Sequence, residues 1–229
     1  MGEEEIMAVA ISNTYFDGFN GNDLTIANVV VGASDNCIVV FTTVQDSNHA
    51  NYPIVSVTRD GQSFTKIQHY EPAGNVRVEA WGLKSPNVNT SNLSVDITNG
   101  VGDFNVLVVV MSGADTTTQP DVYNGGSGSG FAPSVSVTTT VDDDMLLHAL
   151  VAEADITGVG AGQTIIQDYQ DQSYENSMFS YKAAGTAGSK SMSANMASGQ
   201  PYAQIVVAVK AAAAAGTTKH FLSLMGVGK

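Results

Sequence analysis

Two halves of the sequence repeat one pattern of hydrophobic and turn residues about a hundred positions apart. Five segments recur in the same order: 35–40 and 143–148, 65–70 and 164–169, 80–84 and 180–184, 93–97 and 192–196, and 106–110 and 205–209. One such match arises by chance, but five in a single order indicate a structural motif used twice. We therefore expect the halves to pack as related layers of one core, with Trp81 and Tyr181 in matching strands.

The repeated segments are typical of β-strands. Leu93, Val95 and Ile97 alternate with polar residues, as in a strand with one buried face. Segments 54–58 and 63–67 flank an Asp60-Gly61 pair, which supplies the positive φ angles of a tight hairpin turn. No segment longer than about ten residues has helical periodicity. The sequence thus predicts an all-β fold, an antiparallel two-sheet jelly-roll β-sandwich with an internal pseudo-repeat.

The pattern also predicts the domain organisation. We expect one sandwich over residues 25–210, with halves of about 25–112 and 130–210. Residues 1–24 read as an N-terminal arm, and the Gly/Ser segment 125–130 reads as a flexible connection between the halves. Residues 211–229 comprise an alanine spacer and an apolar C-terminal tail.

Charge and composition exclude several classes of partner. The net charge is −13 and there are only two arginines, so no basic surface is expected for nucleic acid or for an anionic membrane. The start of the sequence is acidic rather than basic, and the longest apolar run, 106–111, is too short to span a bilayer, so we expect a soluble chain. The single cysteine, Cys37, lies in a strand pattern and is interpreted as a small buried hydrophobic residue.

No motif in the sequence indicates catalysis or a cofactor, and we predict that the protein is not an enzyme. Asp142, Asp143 and Asp144 are interpreted as a solvated turn, with a calcium site as the weaker alternative. Asp168, Asp171 and Glu175, with Glu153 or Asp155, are interpreted as surface carboxylates rather than a glycosidase pair. The four histidines lack the spacing of zinc ligands.

Four segments carry a resemblance to a known group of modules: Asp35-Asn36, the hairpin 57–67, the segment 81–86 and the segment 112–115. Over about residues 25–210 the chain resembles concanavalin-like jelly-roll β-sandwich modules of phage virion and bacterial surface proteins. The resemblance implies a fold but no set of catalytic residues. Such modules serve as capsid or tail components, adhesins and carbohydrate binders.

Two functions follow as expectations. The first is a non-enzymatic structural component of a phage virion, a capsid decoration or cement protein or a tail or fibre protein, located in the virion. It would contact other virion proteins and form a homo-oligomer, with a trimer expected by analogy. Its assembly contacts would be the apolar tail residues Phe221, Leu222, Leu224, Met225 and Val227. The alternative is an extracellular or cell-surface lectin or adhesin with Tyr123 and Tyr174 as candidate glycan contacts.

Overall fold

The repeated pattern of the sequence folds into two β-sandwiches that have the same strand order. The structure, a computed structural model, describes residues 8–20, 23–46, 53–71, 75–98, 103–170 and 176–213. Every regular element in this part of the chain is a strand, and every strand pair is antiparallel. Within these ranges, no helix is long and apolar enough to cross a membrane.

The first half forms a five-stranded and a four-stranded sheet. Its strands are β1 Ala10–Asn20, β2 Asp23–Val30, β3 Asp35–Gln45, β4 Ile54–Arg59, β5 Gln62–Ser63, β6 Thr65–Tyr70, β7 Val76–Lys84, β8 Thr90–Ile97 and β9 Asp103–Ser112. The five-stranded sheet, called the first large sheet, has the order β1-β9-β3-β7-β6. The smaller sheet has the order β2-β8-β4-β5.

The second half repeats this arrangement. Its strands are β10 Val122–Ser129, β11 Ser134–Thr139, β12 Met145–Ala152, β13 Ile156–Val159, β14 Thr164–Gln170, β15 Asn176–Ala183, β16 Gly188–Met196 and β17 Pro201–Val209. The second large sheet has the order β10-β17-β12-β15-β14, and the smaller sheet has the order β11-β16-β13. The order of the large sheet matches that of the first half strand by strand, and the order of the smaller sheet matches except that β5 has no counterpart among the described residues.

Three layers of apolar side chains hold four sheets in one stack. The central cluster takes residues from both large sheets, including Phe41 and Leu107 from the first half and Leu147 and Ile205 from the second. A second cluster lies between the two sheets of the first half, and two smaller clusters lie between the sheets of the second half. The predicted all-β antiparallel sandwich with a pseudo-repeat is therefore confirmed, and each large sheet carries a smaller sheet on its outer face.

The match between the halves extends to strand irregularities. A β-bulge falls at Ile67, where β6 pairs with β7, and at Ile166, where β14 pairs with β15. In both halves the bulged isoleucine packs against the central cluster. Bulges bend a strand at a fixed place, so a shared bulge indicates a shared sheet shape.

Two of the sequence matches are wrong by one residue. Trp81 and Tyr181 do lie in matching strands, but Tyr181 pairs with Thr164 as Gly82 pairs with Thr65. Trp81 is therefore equivalent to Ser180, and Tyr181 to Gly82. Likewise Leu107, not Val106, is equivalent to Ile205, because each pairs with the same position of β3 or β12. A one-residue slip in a strand moves a side chain to the other face of the sheet.

The structure differs from the predicted boundaries at two places. Within the predicted arm 1–24, Ala10–Asn20 form β1, which pairs along β9 and completes the first large sheet. The Gly/Ser segment lies mostly in β10, which pairs with β17, so it is an edge strand rather than a flexible connection. At Gly125, an added Cβ would fall 2.3 Å from the Tyr70 ring, so close packing between the halves requires glycine there.

Candidate ligand-binding cavity

A cavity of about 450 Å³ lies between the two large sheets. We call it the interface cavity. Its apolar lining comes from both halves and comprises Cys37, Val39, Ile67, Pro120, Val207 and Val209. Its polar lining includes Ser63, Thr65, Lys84, Gln119 and Tyr123. The first set is mostly buried and the second is mostly exposed, so the cavity has an apolar interior and a polar mouth.

The strand geometry at the cavity explains why space is left there. Gly82 in β7 pairs with Thr65 in β6, next to the bulge at Ile67. Gly82 has no side chain to fill the gap, and a Cβ at this position would lie 3.3 Å from the Ile67 Cδ1 atom. Only the flexible end of Ile67 would have to move to admit a Cβ at this position.

The equivalent place on the other side of the interface is filled. Four cavity residues, three in the first half and one in the second, correspond to larger residues at equivalent positions of the other half. These pairs are Cys37 and Met145, Val39 and Leu147, Gly82 and Tyr181, and Val209 and Met111. The larger residues all pack in or against the central cluster. The interface cavity therefore arises from small side chains at positions where the repeat has large ones.

One contact beside the cavity has an equivalent on the opposite side of the interface between the large sheets. Tyr70 lies against Gly125 on the side of the cavity. On the other side Tyr169, the equivalent of Tyr70, lies against Phe16, the equivalent of Gly125, with ring centroids 5.7 Å apart. Reciprocal contacts of this kind arise when an approximate two-fold axis relates the two partners.

Two ionisable residues of the cavity, Cys37 and Lys84, differ in burial and in charge. Burial raises the pKa of the Cys37 thiol to about 12, so the sulfur is neutral and behaves as the predicted small hydrophobic residue. Lys84 is exposed at the mouth, and its Nζ donates to the Thr117 carbonyl oxygen at 2.7 Å. Among the described residues no carboxylate lies within ion-pair distance of Lys84. The lysine therefore offers free N–H donors at the opening.

The predicted binding residues have different outcomes. Tyr123, a candidate glycan contact, is 45% exposed and lines the interface cavity. Tyr174, the other candidate, and the predicted assembly contacts Phe221, Leu222, Leu224, Met225 and Val227 lie outside the described residues. These assignments stay predictions.

The three adjacent aspartates point to different partners. Asp142 accepts a hydrogen bond from the Ala187 N–H at 2.6 Å. Asp143 has a positive φ of 61° in the turn. Asp144 is buried and accepts from the Ala211 N–H at 2.9 Å, so the predicted solvated turn is wrong for this residue. Within the described ranges no group of three or more acidic, histidine or cysteine side chains is arranged to hold a metal ion.

The other acidic candidates are used in local hydrogen bonds. Glu153 Oε1 accepts from the Asn75 N–H at 2.9 Å, and Asp168 Oδ1 accepts from Gln170 Nε2 at 2.6 Å. Asp171 and Glu175 lie outside the described residues.

The sequence interpretation missed a buried carboxylate, Glu79. Its Oε1 accepts from Arg77 Nε at 2.7 Å and from the Ile54 N–H at 3.2 Å. Its Oε2 accepts from Lys66 Nζ at 2.7 Å and from the Trp81 indole at 3.2 Å. Both oxygens are thus occupied, which suits a structural role. The signal was available in the alternation of β7, because Glu79 shares a face with Trp81.

His148 and Gln204 form a buried polar pair in the core of the second half. His148 Nε2 lies 3.1 Å from Gln204 Oε1, and both side chains are buried. Burial lowers the pKa of His148 to about 4, so the imidazole is neutral at physiological pH. The equivalent residues of the first half are Val40 and Val106, which are apolar.

Asn36 and Asp144 occupy equivalent positions in the two halves, and they differ in charge. Asn36 bonds both the N–H and the carbonyl oxygen of Ala114, and its own carbonyl accepts from Ser85. Asp144 Oδ1 accepts from the Ala211 N–H, and the backbone carbonyl oxygen of Asp144 accepts from the Ala184 N–H. Burial, reinforced by neighbouring Asp121, raises the pKa of Asp144 to about 7. The carboxyl group therefore titrates near neutrality.

Comparisons with known proteins give little information on function. No protein-family model matches the chain, and no curated protein matches it. Among solved structures, the chain is similar to the major capsid protein P2 from bacteriophage PM2, at 10% identity and a TM-score of 0.27. The alignment covers 86% of this chain and 96% of that one. A similarity at this TM-score and identity does not indicate a shared function.

Proposed function

We propose that the chain is a non-enzymatic structural component of a phage virion, a capsid decoration or cement protein or a tail or fibre protein, and that it acts through protein–protein contacts. The observation that carries this proposal is the stack of four sheets with three apolar layers. Both faces of each large sheet are buried, so the described residues form a thick block suited to bearing load in an assembly. The sequence resemblance to virion modules supports the same function.

We also propose that each half is one jelly roll. In the first half β1, β3, β6, β7 and β9 lie in the large sheet, while β2, β4, β5 and β8 lie in the small one. The chain thus crosses repeatedly between two sheets, as in the double-sheet arrangement of that fold. The second half has the same order, which makes the protein a tandem pair.

The chemistry of the described side chains supports a non-enzymatic role. The Cys37 thiol is neutral, the His148 imidazole is buried and neutral, and both oxygens of Glu79 are occupied by donors. A nucleophile or general base needs an accessible lone pair beside a reacting atom. None of these three groups offers one.

Assembly would be mediated by the apolar tail. Phe221, Leu222 and Leu224, with Met225 and Val227, follow an alanine spacer. Leaving such side chains in water costs about 1.5–3 kcal/mol for each large residue, so contact with a neighbouring subunit is favoured. We propose a homo-oligomer, with a trimer as the expected state.

Deleting residues 217–229 tests this role. Sedimentation velocity of the full chain should show an oligomer, and the truncated chain should sediment as a monomer with an unchanged urea unfolding midpoint. Equal assembly of the two chains would contradict the role of the tail. A full chain that stays monomeric and binds no virion protein would contradict the proposed oligomer.

The second candidate is a lectin or adhesin, favoured by the exposed aromatic ring of Tyr123 beside hydroxyl and amide groups at the cavity mouth. A glycan array with and without a calcium chelator tests it. Specific glycan binding that is lost in Tyr123→Ala would favour the lectin over the structural component.

A further inference from the structure

We propose that the interface cavity binds a small amphipathic organic anion, with an apolar body in the interior and its anionic group on Lys84. This proposal does not depend on the virion function. It follows from how the cavity is built, what lines it and which charge stands at its opening.

The first argument is that the cavity has a specific structural origin. Protein interiors are normally close-packed. The approximate two-fold repeat places the same backbone geometry at two sites of the interface. One side is filled by Tyr181, Met145 and Met111, while the other side has Gly82, Cys37 and Val209. The same backbone can thus be packed with larger residues. Keeping the cavity costs stability, which a bound ligand would recover.

The second argument is the shape and polarity of the space. A volume of about 450 Å³ lies within the usual range of small-molecule sites. Val39, Ile67 and Val207 present only hydrocarbon to it, and the Cys37 thiol is neutral. Such an interior favours an aliphatic or aromatic body, whereas the polar groups that a sugar would need lie at the mouth.

The third argument is charge. The chain carries a net charge of −13, yet no acidic side chain is among the described residues that line the cavity. Lys84 stands at the mouth with one N–H bonded to the Thr117 carbonyl oxygen, which leaves two donors available. Lys66 lines the same cavity, but its ammonium group is directed to Glu79 and the Trp81 ring. Lys84 is therefore the cation that would meet a carboxylate or sulfonate.

The test uses the full chain and two probes, the fluorescent sulfonate 1-anilinonaphthalene-8-sulfonate and decanoate as its competitor. We expect one saturable site and displacement of the dye by decanoate. Lys84→Gln should weaken decanoate about tenfold, the usual value of one charge-assisted hydrogen bond, and should leave neutral decanol unchanged. Lys190→Gln makes the same charge change on the outer sheet of the second half and should have no effect.

Gly82→Tyr tests the location. It installs the residue that fills the equivalent place, and it should abolish saturable dye binding while keeping the circular dichroism spectrum. If this variant fails to fold, Val39→Leu introduces the residue of the other half with a smaller change and should weaken binding. Unchanged binding in the folded filling variant, equal effects of the two lysine changes, or displacement of the dye by a glycan but not by decanoate would overturn the proposal.

Discussion

Gly82 and Tyr181 occupy equivalent positions in β7 and β15. Tyr181 fills space between the two large sheets, and Gly82 leaves the equivalent space open. Each pairs with a threonine, Thr65 or Thr164, at the same distance from a bulge. The Tyr181 ring packs against the central cluster, whereas Gly82 leaves the interface cavity. The two halves thus share the strand arrangement and the bulge, and they differ in the side chains that fill or leave the space between the large sheets.

Tyr181→Ala should destabilise the protein by about 3 kcal/mol, because it removes a ring from the interface of the large sheets and leaves a void. Tyr123→Ala is the matched control. It removes the same ring from an exposed position and should change the free energy of unfolding by less than about 0.5 kcal/mol. Urea unfolding followed by fluorescence measures both. Equal losses would mean that Tyr181 does not fill the interface.

Replacing His148 and Gln204 together by valine should stabilise the protein by about 1–2 kcal/mol at pH 7. The equivalent positions hold Val40 and Val106, and His148 Nδ1 is buried without a partner in the described structure. The folded pKa of His148, about 4, lies below its ordinary 6.5, so wild-type stability falls as pH decreases from about 6.5 to 4. This part of the acid sensitivity should be absent from the double variant. Unfolding at pH 7 and pH 4.5 checks both statements, and a less stable double variant at pH 7 would contradict them.

Asp144→Asn should become more stable relative to the wild type as pH rises from about 4 to 7. The folded pKa of Asp144, about 7, exceeds its ordinary 3.8, so the wild-type contribution is complete below pH 4 and is lost through pH 7. Asparagine carries no charge and already occupies the equivalent position, Asn36. Asp142→Asn changes an exposed neighbour and serves as control. A stability difference independent of pH would show that folding does not raise the pKa of Asp144.

Glu79→Gln should destabilise the protein by about 3 kcal/mol, because it leaves the buried Arg77 guanidinium without its buried counter-charge. Glu71 also pairs with Arg77, but its side chain is 35% exposed, so Glu71→Gln should cost less than about 1 kcal/mol. Thermal unfolding of the two variants distinguishes the cases. The prediction is wrong if the exposed glutamate proves the more costly one to change.

The sequence pattern predicts which positions of the two halves are equivalent only where both halves keep the same residue types on the same face. Alternation in segment 93–97 and its repeat 192–196 gave the correct equivalence, because those strands keep the same residue types on the same faces. In β7 and β15 the aromatic residues Trp81 and Tyr181 suggested a match that is wrong by one position. They lie on opposite faces and fill different cores, which similarity of residue type does not reveal.

The cavity could not be predicted from the sequence. It results from small residues that are distant along the chain, such as Val39 and Val209, meeting across two sheets. The Gly/Ser composition of segment 125–130 predicted a flexible connection. Gly125 is instead required by its close contact with Tyr70. Both features are properties of the interface between the halves, which neither half encodes alone.

The proposed virion role is tested most directly by the protein composition of gradient-purified particles of a phage that encodes this chain. We expect quantitative mass spectrometry to find the chain at a fixed stoichiometry to the major capsid or tail protein, co-sedimenting with infectious particles and retained after a high-salt wash. Its presence only in the soluble lysate, with none in the washed particles, would contradict the assignment as a structural component of the virion.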